Sequence, residues 1–224
     1  MIEPGAPQDP TRDHKSLTAA AEKRLLIWLA HRMPAWLNSD HLTALGLLGN
    51  ALAGIGYALA GSNRSWLHFV NLCLFVNWFG DSLDGTVARV RNRLRPRYGF
   101  YVDHLVDAFG ALFLLLGLAA SGLVTERVAL ALLVTYFLFS INMYLATCSL
   151  GVFKLSYGLF GGTELRILLA AVNLVVLGYP LVTFLDRRFL LFDVLAGFGT
   201  AGLAFITLRS AAQVTKRLFD QERL

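Results

Sequence analysis

Apolar and polar positions divide this chain into long apolar runs separated by short polar breaks. Six runs approach the roughly 20 residues that a membrane-spanning helix needs. They are His41–Gly61, Trp66–Arg89, Gly99–Ser121, Glu126–Leu150, Thr163–Phe184 and Phe189–Arg209. Asn38, Ser39 and Asp40 suit the N-cap of the first run, and Thr163 that of the fifth. Pro96 breaks the basic connection Val90–Tyr98, and a glycine-containing loop with Lys154 spans 151–162. Ahead of the spans, Leu17, Ala21, Leu25, Trp28 and Leu29 recur at helical intervals among Lys23, Arg24, His31 and Arg32. That pattern predicts an amphipathic helix lying in the membrane interface. A helix packed on a loop of the same protein is the competing reading. Met1–Ser16 holds Pro4, Pro7 and Pro10 and little to bury, so disorder is expected there.

The expected organisation is therefore a disordered tail over 1–16, an amphipathic juxtamembrane helix over 17–34, a six-helix transmembrane domain over 38–214 and a tail over 215–224. The pattern contains no tandem repeat and no second domain.

Composition agrees with a membrane protein. The chain of 224 residues is 56% hydrophobic and 16% charged, against about 45–50% and about 25% in soluble domains. Mean hydropathy is +0.56. The expected fold class is an all-α integral membrane protein, which sets aside a soluble bundle. A net charge of +5 and a pI near 9.5 could suggest nucleic acid. The basic residues, however, gather at the ends of the apolar runs, and no zinc-finger, RRM or basic-zipper signature occurs, so no nucleic-acid partner is expected. Lys15, Lys23, Arg24, Arg32, the arginines of 89–97, Lys154, Arg209, Lys216 and Arg217 fall on one side of a six-span arrangement. Arg64, Arg127, Arg187 and Arg188 fall on the other. The positive-inside rule then puts both termini on the cytoplasmic side of the inner membrane. No cleavable signal peptide is visible, so the first span is expected to direct insertion. Cys73 and Cys148 lie far apart in apolar runs and read as packed thiols.

One stretch does not fit a purely structural reading. Asp81, Asp84, Asp103 and Asp107 lie within 27 residues, at the end of the second run and the start of the third. Carboxylates at membrane helices are by default a functional-site hypothesis. Asp81 and Asp84 are three apart and Asp103 and Asp107 four apart, so each pair shares a helix face. A short loop makes the two helices antiparallel neighbours, which brings both pairs to one membrane depth at the cytoplasmic end. Four carboxylates that close need protonation or a bound cation. An all-oxygen donor set points to magnesium, manganese or calcium, and four carboxylates match two ions. Gly85 and Gly99 clear space for a ligand, and Arg89 offers a fork for phosphate. Together these features imply a diphosphate-containing substrate with a lipid tail.

The residues Asp81, Asp84, Gly85, Ala88 and Arg89, a nine-residue spacer, then Gly99, Asp103 and Asp107 resemble the signature of the CDP-alcohol phosphotransferases. That signature reads D-x2-D-G-x2-A-R, a spacer, G-x3-D-x3-D; the spacer here is one residue longer than the commonest form. The resemblance implies a CDP-activated lipid donor such as CDP-diacylglycerol, an alcohol acceptor, and a phospholipid and CMP as products. It implies that Asp81, Asp84, Asp103 and Asp107 hold two Mg²⁺ ions, with Mn²⁺ as an alternative. Asp107 would also act as general base, with Asp103 beside it in the catalytic pair. Thr43, Asp84, Gly85, Ala88, Arg89 and Gly99 would line the nucleotide site. A homodimer in the lipid bilayer is the implied assembly.

The acceptor is less constrained. Arg93, Arg95, Arg97, Lys154, Glu164 and Arg166 are the polar candidates on the same side. Arg97, Lys154 and Arg166 are the preferred acceptor-binding residues. Arg166 sits in the first turn of the fifth span, where a cation opposes the helix dipole and needs a partner, either Glu164 or a phosphorylated acceptor. The arginines favour an anionic acceptor, whereas Asp103-His104 resembles the choline and ethanolamine branch. Two other classes of membrane protein also carry intramembrane aspartates. An intramembrane prenyltransferase would use two widely separated aspartate motifs, and an ion-coupled transporter would use midplane sites and repeats.

Overall fold

The computed structural model describes residues 19–150, 162–184 and 186–222. The expected disordered tail over 1–16 and the loop carrying Lys154 lie outside them. The described residues form α1 (Ala19–Arg32), α2 (Ser39–Ala60), α3 (Trp66–Val90), α4 (Pro96–Ala120), α5 (Glu126–Leu150), α6 (Gly162–Gly178), β1 (Leu181–Phe184), β2 (Arg187–Leu190) and α7 (Leu191–Gln221). The described residues are thus mainly helical, with one two-stranded hairpin.

Among the described residues four helices, α2, α4, α5 and α7, are long and apolar enough to cross a membrane. The other two expected spans differ for local reasons. α3 has 25 residues, but Asn71, Asn77, Asp81 and Asp84 dilute its apolar character. α6 has only 17 residues. The expected fifth span to Phe184 instead stops at Gly178. Pro180 follows, which cannot continue a helix. The chain then forms the antiparallel β1–β2 hairpin, with Leu181 opposite Leu190 and Phe184 opposite Arg187. The expected sixth span to Arg209 begins at Leu191 and continues to Gln221, so most of the expected tail over 215–224 is helical. No Gly or Pro interrupts 203–221, which is rich in good helix formers. α4 begins at Pro96, three residues before the expected Gly99, because proline suits the first helical position.

α2 is the centre of the bundle and packs most extensively on α3 and then α4. Glycines make these approaches possible. A Cβ on Gly80 would lie 2.5 Å from the Leu42 carbonyl oxygen, and one on Gly49 would lie 2.8 Å from the Asn77 nitrogen. Gly54 and Gly117 play the same part between α2 and α4. Around these contacts, Ala53, Tyr57, Leu67, Val70, Leu118 and Phe192 form the larger buried core. Apolar residues on the outer faces, among them Phe113, Leu138, Leu145, Phe198 and Leu208, are exposed, as lipid-facing surfaces are. The fold is that of an integral membrane protein.

A second, smaller core joins α1 to the end of α3, where Leu26 and Ala30 pack on Leu42, Leu83 and Val87. The α1 tether includes a polar contact: Trp78 Nε1 donates to Glu22 at 2.8 Å, and the Thr163 hydroxyl donates to the same carboxylate at 2.7 Å. Thr163, expected as a cap for its own helix, instead lies inside α6 and ties it to α1. Deeper in the bundle, Tyr57 donates to Asn173 at 2.8 Å, Asn173 to Asn71 at 2.7 Å, and Asn71 to the Ala170 carbonyl at 3.2 Å.

Candidate active site

The ends of α2, α3, α4 and α6 that carry Thr43, Asp81, Asp84, Asp103, Asp107 and Arg166 converge. The turn between α3 and α4 sets the approach of the two aspartate pairs. Arg91 fixes that turn, donating to the Leu37, Met33 and Pro34 carbonyls at 2.6, 3.0 and 2.9 Å. It therefore closes the exit of α1, and it also lines the cleft beside Ala88. Asn92 adopts a left-handed conformation, φ +53°, which asparagine tolerates. Arg95 pairs with Asp40 at the start of α2 and lies 4.2 Å from the Tyr98 ring.

α3 presents Asp81 and Asp84 on adjoining faces. Thr43, one turn into α2, donates its hydroxyl to Asp84 Oδ2 at 2.6 Å. The close α2–α3 approach at Gly46, Gly49 and Gly80 allows this reach. Asp81 Oδ2 accepts from Arg166 Nη2 at 2.6 Å. Asn77, one turn earlier and 4% exposed, accepts from Arg166 Nε at 2.6 Å and donates to the Gly46 carbonyl at 2.9 Å. The partners of Arg166 seen here are thus Asp81 and Asn77, whereas Glu164 or an acceptor was expected. The second pair faces the first: the charge of Asp107 interacts with those of Asp81, Asp103, Arg166 and Asp84. Asp84 in turn feels Asp81 and Asp103.

The surroundings are open where the sequence predicts clearance. A Cβ added at Gly85 or Gly99 would meet nothing within 4 Å. Arg89 is exposed on the last turn of α3. Ala88 lines a cleft of about 340 Å³ together with Asn38, Ser39, Asp40, Arg93 and Arg95. None of the four aspartates lines that cleft. Arg97 is exposed at the second position of α4, and among the described residues no ion pair joins it to an aspartate.

The residues fit a hard divalent cation in their chemistry. All four candidate ligands are carboxylates, and a guanidinium already sits against one of them as a stand-in cation. They are not closed into a finished centre: among the described residues no three His, Cys, Asp or Glu side chains meet as a metal-binding group.

Several contributors were not singled out in the sequence. Asn77 positions Arg166; its signal was an asparagine four residues before Asp81 inside an apolar run. Tyr136, Ser140 and Tyr144 recur at four-residue intervals along α5 and face the second aspartate pair. The Tyr144 hydroxyl donates to the His104 carbonyl at 3.4 Å, and the charge of Asp107 reaches both tyrosines. His104 adds rings: it lies 4.2 Å from Phe100 and 4.8 Å, edge-on, from Tyr144. Glu22, in a helix read as interfacial, also contributes, through its bonds to Trp78 and Thr163.

A helical membrane protein with two facing aspartate pairs, cleared by glycine and flanked by arginines, has the outline of a phosphoryl-group transferase. Residues 36–197 match the family model for CDP-alcohol phosphatidyltransferase, and the chain belongs to that family. The matched region holds Thr43, all four aspartates and Arg166. Cholinephosphotransferase 1 from Gallus gallus is 31% identical over 96 residues, which cover 40% of this chain and 28% of that protein.

Proposed function

We propose that this chain transfers a substituted phosphoryl group from a CDP-linked lipid such as CDP-diacylglycerol to an alcohol, releasing CMP. The observation that carries this reading is the convergence of Asp81, Asp84, Asp103 and Asp107 beside the open backbone of Gly85 and Gly99. In the step itself, the acceptor oxygen attacks the phosphorus that bears the lipid. The P–O bond to CMP breaks, CMP departs as a phosphate monoester, and the acceptor proton passes to the Asp107 carboxylate. A carboxylate placed within hydrogen-bond reach accelerates such a step by about 10²–10⁴-fold.

The four aspartates would hold two divalent ions, Mg²⁺ or Mn²⁺, with Asp103 and Asp107 on α4 and Asp81 and Asp84 on α3. Such ions neutralise diphosphate charge and stabilise the leaving phosphate. Thr43 orients Asp84 through its 2.6 Å hydrogen bond. Gly85, Ala88, Arg89 and Gly99 form the nucleotide side, where the missing side chains admit the CDP moiety and Arg89 meets its phosphates. Lys154, Arg97 and Arg166 are the proposed acceptor side for a phosphorylated alcohol. The site is proposed to open to the cytoplasm, with α1 lying in the interface and the chain forming a homodimer.

A second reading of the group transferred is favoured by the rings of Phe100, His104 and Tyr144 beside Asp103. Aromatic faces attract quaternary ammonium groups, and the Gallus gallus relative is by name a cholinephosphotransferase. The two readings separate in one assay on purified protein with Mg²⁺. CDP-diacylglycerol with a panel of phosphorylated and free alcohols tests the first, and CDP-choline with diacylglycerol tests the second. CMP release in either arm identifies the donor. Release in neither arm, from folded protein, contradicts the proposed activity.

A further inference from the structure

We infer that Arg166 is a tethered counter-cation that competes with a divalent metal ion for Asp81 and so sets the metal affinity of the carboxylate cluster. The inference rests on the metal-site reading proposed above and adds a residue that opposes the metal.

The position of Arg166 is built. Arg166 is the fifth residue of α6, just past the first turn, where the helix dipole disfavours a cation only weakly. Two contacts hold it there, Nη2 to Asp81 Oδ2 and Nε to Asn77 Oδ1, each at 2.6 Å. Asn77 is itself buried and anchored to the Gly46 carbonyl at 2.9 Å. The guanidinium is therefore aimed by a fixed partner on α3, and it is held largely out of water, with side-chain exposures of 20% for Arg166 and 28% for Asp81. An arginine in a protein does not lose its proton, so the positive charge is permanent. It faces Asp107 as well as Asp81.

A metal ion entering the cluster needs the Asp81 oxygen that Arg166 Nη2 occupies, and it meets a fixed like charge beside it. Before the ion enters, the same guanidinium offsets part of the repulsion among four carboxylates and links α6 to α3. Arg166 thus stabilises the metal-free bundle and weakens the metal-loaded one. Metal affinity is held down without any change in the ligands.

The test is Mn²⁺ binding to the full purified chain by isothermal titration calorimetry, with no substrate present. Arg166→Gln tightens Mn²⁺ binding about tenfold, since it removes one opposing charge at close range. Arg166→Lys, which keeps the charge, stays near the parent affinity. In an Asp81→Asn background the Arg166→Gln change shifts affinity by less than about twofold, because the contested oxygen is gone. Thermal melting supplies the second readout. Arg166→Gln lowers the metal-free melting temperature and enlarges the rise on adding Mn²⁺, whereas a merely structural arginine lowers both states equally. Equal or weaker Mn²⁺ binding by Arg166→Gln, with the parent protein binding normally, overturns the inference. A parent protein that binds no Mn²⁺ removes the metal site itself, a result visible before any variant is made.

Discussion

The same three helices carry two polar groups and treat them in opposite ways. Tyr57 of α2, Asn71 of α3 and Asn173 of α6 form a neutral chain whose donors and acceptors meet one another. Tyr57 and Asn173 are fully buried. Thr43, Asp81 and Arg166 come from the same helices nearer their other ends, and there the groups are charged and beside open space. Asp81 lies ten residues beyond Asn71, roughly 15 Å along the helix. Neutral amides and hydroxyls that satisfy each other join helices where water is absent. Carboxylates placed together resist closure, and that resistance suits a centre that must accept a cation and a diphosphate. The neutral group holds α2, α3 and α6 in register; the charged group uses that register.

The largest expected effect falls on the charged group. Asp107→Asn or Asp84→Asn lowers CMP release by at least about a hundredfold, the low end of what a lost general base or metal ligand removes. Circular dichroism and size-exclusion elution of these variants stay those of the parent. Parent-level rates in either variant would remove that residue from the mechanism. Next comes the approach that serves both groups. Gly80→Val places a side chain against the Leu42 carbonyl and Gly46. Overpacking of this kind costs about 1–3 kcal/mol, read as a lower melting temperature together with reduced turnover. Unchanged melting would mean that α2 and α3 do not depend on the glycine contact.

Thr43→Val removes the hydroxyl that donates to Asp84 while keeping the shape. A hydrogen bond to a charged group is worth about 1.5–3 kcal/mol, so kcat/KM drops by about tenfold or more at unchanged fold. The smallest effect belongs to the neutral group. Tyr57→Phe leaves the Asn173 oxygen without its donor, a loss near 0.6 kcal/mol for interhelical bonds within membranes. It lowers the melting temperature slightly and leaves the rate of CMP release where it was. A large loss of turnover in Tyr57→Phe would break the division of labour between the two groups.

The division was only half legible in the sequence. Asp81, Asp84, Asp103 and Asp107 stand out because carboxylates contrast with apolar runs, and their spacing places them by helical periodicity alone. Asn71, Asn77 and Asn173 do not stand out. A single amide in an apolar run gives no periodic signal, and its role depends on which helix lies opposite. For the same reason Arg166 could be seen to need a partner, but its pairing with Asp81 and Asn77 is a tertiary fact. Helix existence was legible for α1 to α5, where apolar runs and breaks are distinct. The hairpin after Gly178 was not, because Leu181, Val182 and Phe184 continue an apolar run that suits strand and helix equally. The length of α7 does not show in the sequence, because the charges of Lys216 and Arg217 end the apolar run without ending the helix.

The central claim is that the four aspartates form a metal-dependent phosphotransfer site. It is tested most directly by CMP release from the active CDP-linked donor, measured with and without Mg²⁺ for the parent chain and Asp107→Asn. The account predicts release by the parent that stops on chelation, and a fall of at least about a hundredfold in the variant at any Mg²⁺ concentration. Release that survives chelation, or that Asp107→Asn retains in full, would contradict it.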